Sequence, residues 1–222
     1  MKEIIEGVHR FRTQVFPEKQ ELFANLARGQ TPTALMISCA DSRVDMALVT
    51  QCEPGNLFVF RNAGNIIPPY GVALGAASAT VEYAMVALQI PNVIICGHSD
   101  CGAMRGVLAQ GVEAQMPVVA QWLKYADTPR QIVMRDPDMD PQARLDRLIK
   151  LNVLSQIEHL KTHPSVAVRV ASGEVKLHGW VYDIEHGSVE AYDQTSGTFV
   201  PVDRDLDAHA THWSHLNEGA RV

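Results

Sequence analysis

Apolar positions recur every three to four residues over residues 2–28 and then change period. Ile4, Ile5, Val8, Phe11 and Val15, followed by Leu22, Phe23 and Leu26, predict two helices broken at Pro17 and stopped at Gly29. Ala34–Cys39 is a short unbroken apolar run with the length of a buried strand. Leu57–Phe60 is a second, aromatic and β-branched, and Val93–Gly97 a third. Asp45–Thr50 makes one or two helical turns and Pro54-Gly55 a turn. Val72–Leu88 is apolar almost all round, which predicts a helix buried on most sides. Its small residues (Ala73, Gly75, Ala76, Ala77, Ser78, Ala79) admit a second backbone, so a subunit interface is preferred over a central position within one subunit.

Beyond the third strand, Cys101 opens a helix ending near Gly111, and Met116–Ala126, Pro141–Thr162 and Pro164–Ser172 are helical. Leu145, Leu148, Ile149, Val153, Ile157 and Leu160 share one face of the long one. Leu177–Ile184 and Val189–Tyr192 flank Glu185-His186-Gly187-Ser188 as a β-hairpin. Strands separated by helical crossovers predict a parallel sheet covered on both faces, with the hairpin at one edge.

A chain of 222 residues, 46% hydrophobic and 20% charged, is an ordinary globular one. Its net charge of −6 and lack of a basic stripe speak against nucleic acid. No secretory h-region and no membrane-length apolar run are present, so a cytoplasmic location with no membrane partner is expected. In that reducing compartment four cysteines point to metal or catalysis before disulfides. The tail past Asp203, with His209, His212 and His215, is expected to be mobile.

The chemistry gathers at two strand ends. Cys39-Ala40-Asp41-Ser42-Arg43 closes the first strand, and Gly97-His98-Ser99-Asp100-Cys101-Gly102 the third. In such sheets the site lies beyond the carboxyl ends of the strands. Two thiols, an imidazole and a carboxylate therefore converge, the donor types of four-coordinate zinc. His-x-x-Cys at a helix start can place both donors on one metal, and the helix N-terminus favours the Cys101 thiolate. Cys39, His98 and Cys101 leave a fourth position, as in catalytic sites. Asp41 is either a fourth ligand in a closed state or is held away by Arg43 in a bidentate pair. In the second case water enters, and zinc brings its pKa to about 7. Cys96 reads as core, and Cys52 has no assigned role. There is no nucleophile elbow, no arginine at the Cys-x5-Arg position (Asp45 is there), and no Gly-x-Gly-x-x-Gly after any strand.

Cys-x-Asp-x-Arg and His-x-x-Cys-Gly, in this order and at this separation, resemble the β-class carbonic anhydrases. The likeness runs from about residue 1 to 202 and includes Glu53-Pro54-Gly55, Arg61-Asn62-Ala63-Gly64-Asn65, Glu82-Tyr83-Ala84 and Leu177-His178-Gly179-Trp180-Val181-Tyr182-Asp183. The opening Met1–Gly7 and Thr162-His163-Pro164-Ser165-Val166 are similar to bacterial cyanate-operon members. The resemblance implies one zinc per subunit on Cys39, His98 and Cys101, a catalytic Asp41–Arg43 dyad, and hydration of CO2 to bicarbonate by zinc-bound hydroxide. It also implies an intimate homodimer, extending to a tetramer or octamer. The pocket resembles the plant-like, open-site type. Gln30 stands nine residues before Cys39, Phe58 in the second strand, and Tyr83 fifteen before His98. Gln30 and the Gly102 N–H would bind the substrate anion, with Phe58 and Tyr83 walling the CO2 pocket. Met36 stands where a regulated type carries Trp, so that regulation is not expected.

The resulting fold expectation is an α/β domain over residues 1–222. It has a mostly parallel four-stranded sheet with an antiparallel edge strand, helices on both faces and an N-terminal helical arm, residues 1–30. Asp100 is an unusual acid inside His-x-x-Cys; facing solvent or capping the helix is preferred over lowering the metal's electrophilicity. Ala87 leaves the proton shuttle unassigned. Hydrolysis of carbonyl sulfide or carbon disulfide is the alternative activity on the same scaffold. A silent zinc-stabilised scaffold is disfavoured, because a scaffold needs the ligands but not Asp41, Arg43 and Gln30.

Overall fold

A computed structural model describes residues 1–202; the expected mobile tail, with its three histidines, lies outside the described residues. The chain forms two compact units, Met1–Thr31 and the remainder from Pro32. In the first, α1 (Lys2–Arg10) passes through a π turn, Phe11–Val15, into α2 (Phe16–Glu18), and α3 is Gln20–Leu26. Phe11 and Phe16 both pack on Phe23, with ring centroids 5.6 and 5.4 Å away. The expected break at Pro17 lies instead at Lys19, whose φ of −114° and ψ of 20° leave the helical region. Pro17 lies just past the π turn and near the C-terminal end of this continuous helical run, one residue before Glu18 ends it.

The second unit is built on a six-stranded sheet in the order β2-β1-β3-β4-β5-β6. Its strands are β1 (Ala34–Cys39), β2 (Leu57–Asn62), β3 (Asn92–His98), β4 (Lys176–Asp183), β5 (Ser188–Asp193) and β6 (Thr198–Pro201). The first four run parallel, and β5 and β6 are antiparallel. The parallel part matches expectation, and the antiparallel edge gains β6, too short at four residues for a period to be read. β1 is buried at every position because both faces are covered. Leu35, Ile37, Val93 and Ile95 join the larger core on one face, while Ala34, Met36, Ile94 and Cys96 join a smaller one on the other.

The helices of this unit are α4 (Met46–Thr50), α5 (Ala76–Glu82), α6 (Gly102–Leu108), α7 (Val112–Gln115), α8 (Pro117–Leu123), α9 (Asp127–Val133), α10 (Pro141–Lys161) and α11 (Pro164–Ala171). Asp45 caps α4 and Asp140 caps α10, each accepting two backbone N–H bonds. The apolar face expected on α10 is buried. Val153 sits so close to the sheet that a Cβ on Gly97 or Gly179 would meet its methyls at 2.9 Å, and glycine permits this approach.

The helix expected over 72–88 is shorter. α5 starts at Ala76 and continues as a π turn, Tyr83–Ala87. Gly71, at φ +83°, and Gly75 at the N-cap interrupt the chain before it. Burial is also one-sided: Ala77, Val81, Ala84 and Met85 are covered, whereas Leu74 and Val86 are exposed. No helix among the described residues is long and apolar enough to cross a membrane.

Candidate metal centre

β1 and β3 are direct parallel neighbours, so their carboxyl ends lie side by side. Cys39 is the last residue of β1, His98 the last of β3, and Cys101 the N-cap of α6. Their donor atoms all lie within 4.8 Å of one another, and all three residues are buried. The two sulfurs are 4.0 Å apart. Tetrahedral bonds of about 2.3 Å would place them about 3.8 Å apart.

His98 carries the clearest sign of a metal. Its ring is fully buried, and Nδ1 donates to the Ser99 carbonyl at 2.9 Å. That fixes the proton on Nδ1 and turns the Nε2 lone pair inward, where no partner meets it. A buried orphan nitrogen is costly unless something binds it. One soft-nitrogen and two sulfur donors around an otherwise unmatched atom fit zinc.

The electrostatics agree. The Cys101 side chain, hydrogen-bonded to Cys39, holds the Cys39 thiol well below its ordinary range, against the opposing effect of burial; His98 and the Gly64 N–H, 3.4 Å from Cys39 Sγ, add to the lowering. Cys101 is pushed up in turn, first by its bond to Cys39 and then by burial. One thiolate is thus ready for a cation. Cys96 points away, and burial pushes its thiol up to about 12, as a core residue requires. Cys52 makes no contribution to this cluster.

Asp41 faces the cluster but is turned to Arg43. Its Oδ1 accepts from Arg43 Nε at 2.9 Å and from the Arg43 backbone N–H at 3.0 Å, and its Oδ2 accepts from Nη2 at 2.7 Å. These bonds hold the carboxyl well below the usual carboxylate range. Asp100 stands at φ +55° and bridges two arginines rather than capping α6. Its Oδ1 accepts from Arg105 at 2.7 Å, while its Oδ2 and carbonyl receive Arg43 at 3.4 and 3.2 Å.

The remaining expected site residues are placed as follows. Phe58 and Tyr83 meet with ring centroids 5.9 Å apart, and Tyr83 is half exposed. Gly102 is the exposed first residue of α6. Gln30 belongs to the N-terminal unit and is exposed. Arg61 is a further residue at this site. It donates to the Cys39 carbonyl at 2.9 Å and to the Asp41 carbonyl at 2.7 Å, and so braces the segment from Cys39 to Asp41. It stands opposite Ser38 in the parallel β1–β2 register, a tertiary relationship with no local sequence signal.

A sequence model of the family described as carbonic anhydrase matches residues 34–189. Carbonic anhydrase from Pseudomonas aeruginosa is 47% identical over 200 residues, covering 90% of this chain and 91% of that protein. Carbonic anhydrase 1 from Escherichia coli O157:H7 is 48% identical over 202 residues, covering 91% and 92%. Among solved structures, the β-carbonic anhydrase CcaA superposes with a TM-score of 0.89 at 43% identity, covering 92% and 93%. One of two tetrameric β-carbonic anhydrases from Sordaria macrospora gives 0.77 at 28% identity, covering 90% and 98%.

Proposed function

The chain belongs to the β-carbonic anhydrase family and catalyses the zinc-dependent reversible hydration of carbon dioxide, and within that activity we propose the roles of its individual residues. The observation that carries the reading is the buried, unpartnered His98 Nε2 between two buried cysteine sulfurs. Cys39, His98 and Cys101 would hold the zinc, which would supply a Lewis acid that makes water nucleophilic near neutral pH. Asp41, held by Arg43, is a carboxylate throughout the physiological range. It accepts a hydrogen bond from the attacking water and so orients the lone pair toward CO2. Arg43 keeps that carboxylate from serving as a fourth ligand. Phe58 and Tyr83 form an apolar wall, which suits a non-polar substrate. Gln30 and the Gly102 N–H are proposed as donors to the bicarbonate oxygens.

The plant-like pocket type is supported by Gln30, Phe58 and Tyr83, by Met36 in β1, and by the intact Asp41–Arg43 pair. Kinship with cyanate-operon members is proposed on the opening residues and on Thr162–Val166. Two of the latter also serve the fold: Thr162 Oγ1 accepts from the Tyr70 N–H at 2.8 Å, and His163 Nε2 bonds the Pro68 carbonyl at 3.0 Å. We propose one catalytic domain with residues 1–30 as an arm, a homodimer that assembles further to a tetramer or octamer, and a cytoplasmic location. Four free cysteines support the last.

Metal analysis of freshly purified protein, with stopped-flow CO2 hydration run beside carbonyl sulfide hydrolysis, tests this reading. One zinc per subunit and CO2 hydration as the dominant activity are expected. Protein without zinc, or faster turnover of carbonyl sulfide, overturns it.

A further inference from the structure

α10 carries two fully buried amides, Asn152 and Gln156, on its otherwise apolar inner face. Burying such groups is unfavourable unless each polar atom is matched. Four residues apart, they stack on one face, and Gln156 Nε2 donates to Asn152 Oδ1 at 2.9 Å. Gln156 Nε2 also reaches the Tyr125 carbonyl at 3.2 Å. Their remaining atoms reach one short turn. Asn152 Nδ2 donates to the Gly64 carbonyl at 3.0 Å, and Gln156 Oε1 accepts from the Ile67 N–H at 2.9 Å.

That turn is conformationally demanding. Gly64 and Asn65 are successive residues at positive φ, +80° and +49°. A glycine left to itself samples many conformations. Gly64 is nonetheless held in one, with its carbonyl on Asn152 and its N–H on Cys39 Sγ at 3.4 Å. Asn62 already closes the turn locally, through Ile66 N and O at 2.8 and 2.9 Å. The two helix amides therefore add something beyond turn formation: Asn152 holds the Gly64–Asn65 peptide, next to the Ala63–Gly64 peptide whose N–H meets Cys39 and whose carbonyl accepts from Trp122 Nε1 at 2.8 Å.

We propose that Asn152, itself held by Gln156, is a positioning residue for the metal ligand Cys39, acting through Gly64 to orient its sulfur and to set how tightly zinc is retained. The inference rests on Cys39 being a zinc ligand. Groups that orient ligands from behind typically change metal affinity about 10- to 100-fold when removed.

The test is the rate at which excess chromogenic chelator strips zinc from the full-length protein. Asn152→Ala should release zinc about 10- to 100-fold faster than wild type. Asn152→Leu, which keeps the volume but not the donor, should do the same and serves if the alanine variant does not fold. Cobalt-substituted Asn152→Leu should show a shifted sulfur-to-cobalt charge-transfer band. Val166→Ala, a cavity at the one buried position of α11, should lower Tm without changing release. A wild-type release rate in both Asn152 variants overturns the proposal. So does equally fast release from Val166→Ala at the same loss of Tm. Wild-type protein without zinc overturns the ligand assignment itself, a distinct failure.

Discussion

Asp41 Oδ2 lies 3.9 Å from His98 Nε2 but 2.7 Å from Arg43 Nη2. The carboxylate is beside the donor cluster and is committed elsewhere by a charge-assisted fork, an arrangement stronger than a neutral hydrogen bond. In the proposed mechanism this separates binding zinc from using it. Asp41→Ala is expected to keep full zinc and lose about 100-fold or more in kcat/KM for CO2 hydration. Arg43→Ala should lose a similar factor, because the freed carboxylate can turn to the cluster. Metal analysis with stopped-flow hydration checks both, and full activity in Asp41→Ala would remove the dyad from the mechanism.

A second prediction concerns acid. His178 on β4 donates from Nε2 to Asn92 Oδ1 at 3.1 Å. Burial pushes its imidazole down to about 4, with the charge of Lys176 adding to the effect. An unfolded histidine titrates near pH 6.5. Between those values the unfolded chain binds the proton more readily. Stability from the neutral ring is therefore complete above about pH 6.5 and is lost as pH falls toward 4, by up to about 3 kcal/mol. His178→Gln should flatten this slope. Urea midpoints at pH 7 and 4.5 decide it: an equal acid loss in variant and wild type excludes His178 as a cause.

The third prediction is steric. A Cβ on Gly179 would meet Val153 Cγ1 at 2.9 Å and Ile157 Cδ1 at 3.1 Å. Gly179→Ala should destabilise by about 1–3 kcal/mol. Val153→Ala opens space at the same point, so the double variant should be more stable than the sum of the single losses allows. Urea unfolding of the four proteins measures the coupling; strict additivity would show that the contact is relieved elsewhere.

What could be read in advance follows from the range of each interaction. Cys39, His98 and Cys101 were legible because a strand end is a local pattern, and parallel neighbours put their ends together. Asp41 and Arg43 are two residues apart, so their pairing was open to reasoning from spacing. The buried face of α10 was legible from its period. The brace from Arg61, the bridge from Asp100 to Arg105, and the Asn152–Gly64 bond across 88 positions were not, since a polar residue's partner is set by tertiary packing. α9 was missed because Pro129 falls in its first turn, where proline is tolerated.

The last prediction concerns the π turn after α5. It buries Ala84 and Met85 yet leaves Tyr83 51% and Val86 64% exposed. Beside them runs a groove of about 640 Å³, lined in part by Tyr70, Leu74, Tyr83 and Val86. The prediction is that a second copy of this chain covers these exposed apolar side chains. Tyr83 also stacks toward Phe58, so whatever covers Val86 shields the proposed CO2 wall from water. Val86→Lys places a strongly hydrated charge in that surface. Sedimentation should then shift toward smaller species, and kcat/KM should fall with zinc content unchanged. If the variant sediments as wild type and keeps its activity, the interface lies on another face, and the Phe58–Tyr83 wall is complete within one subunit.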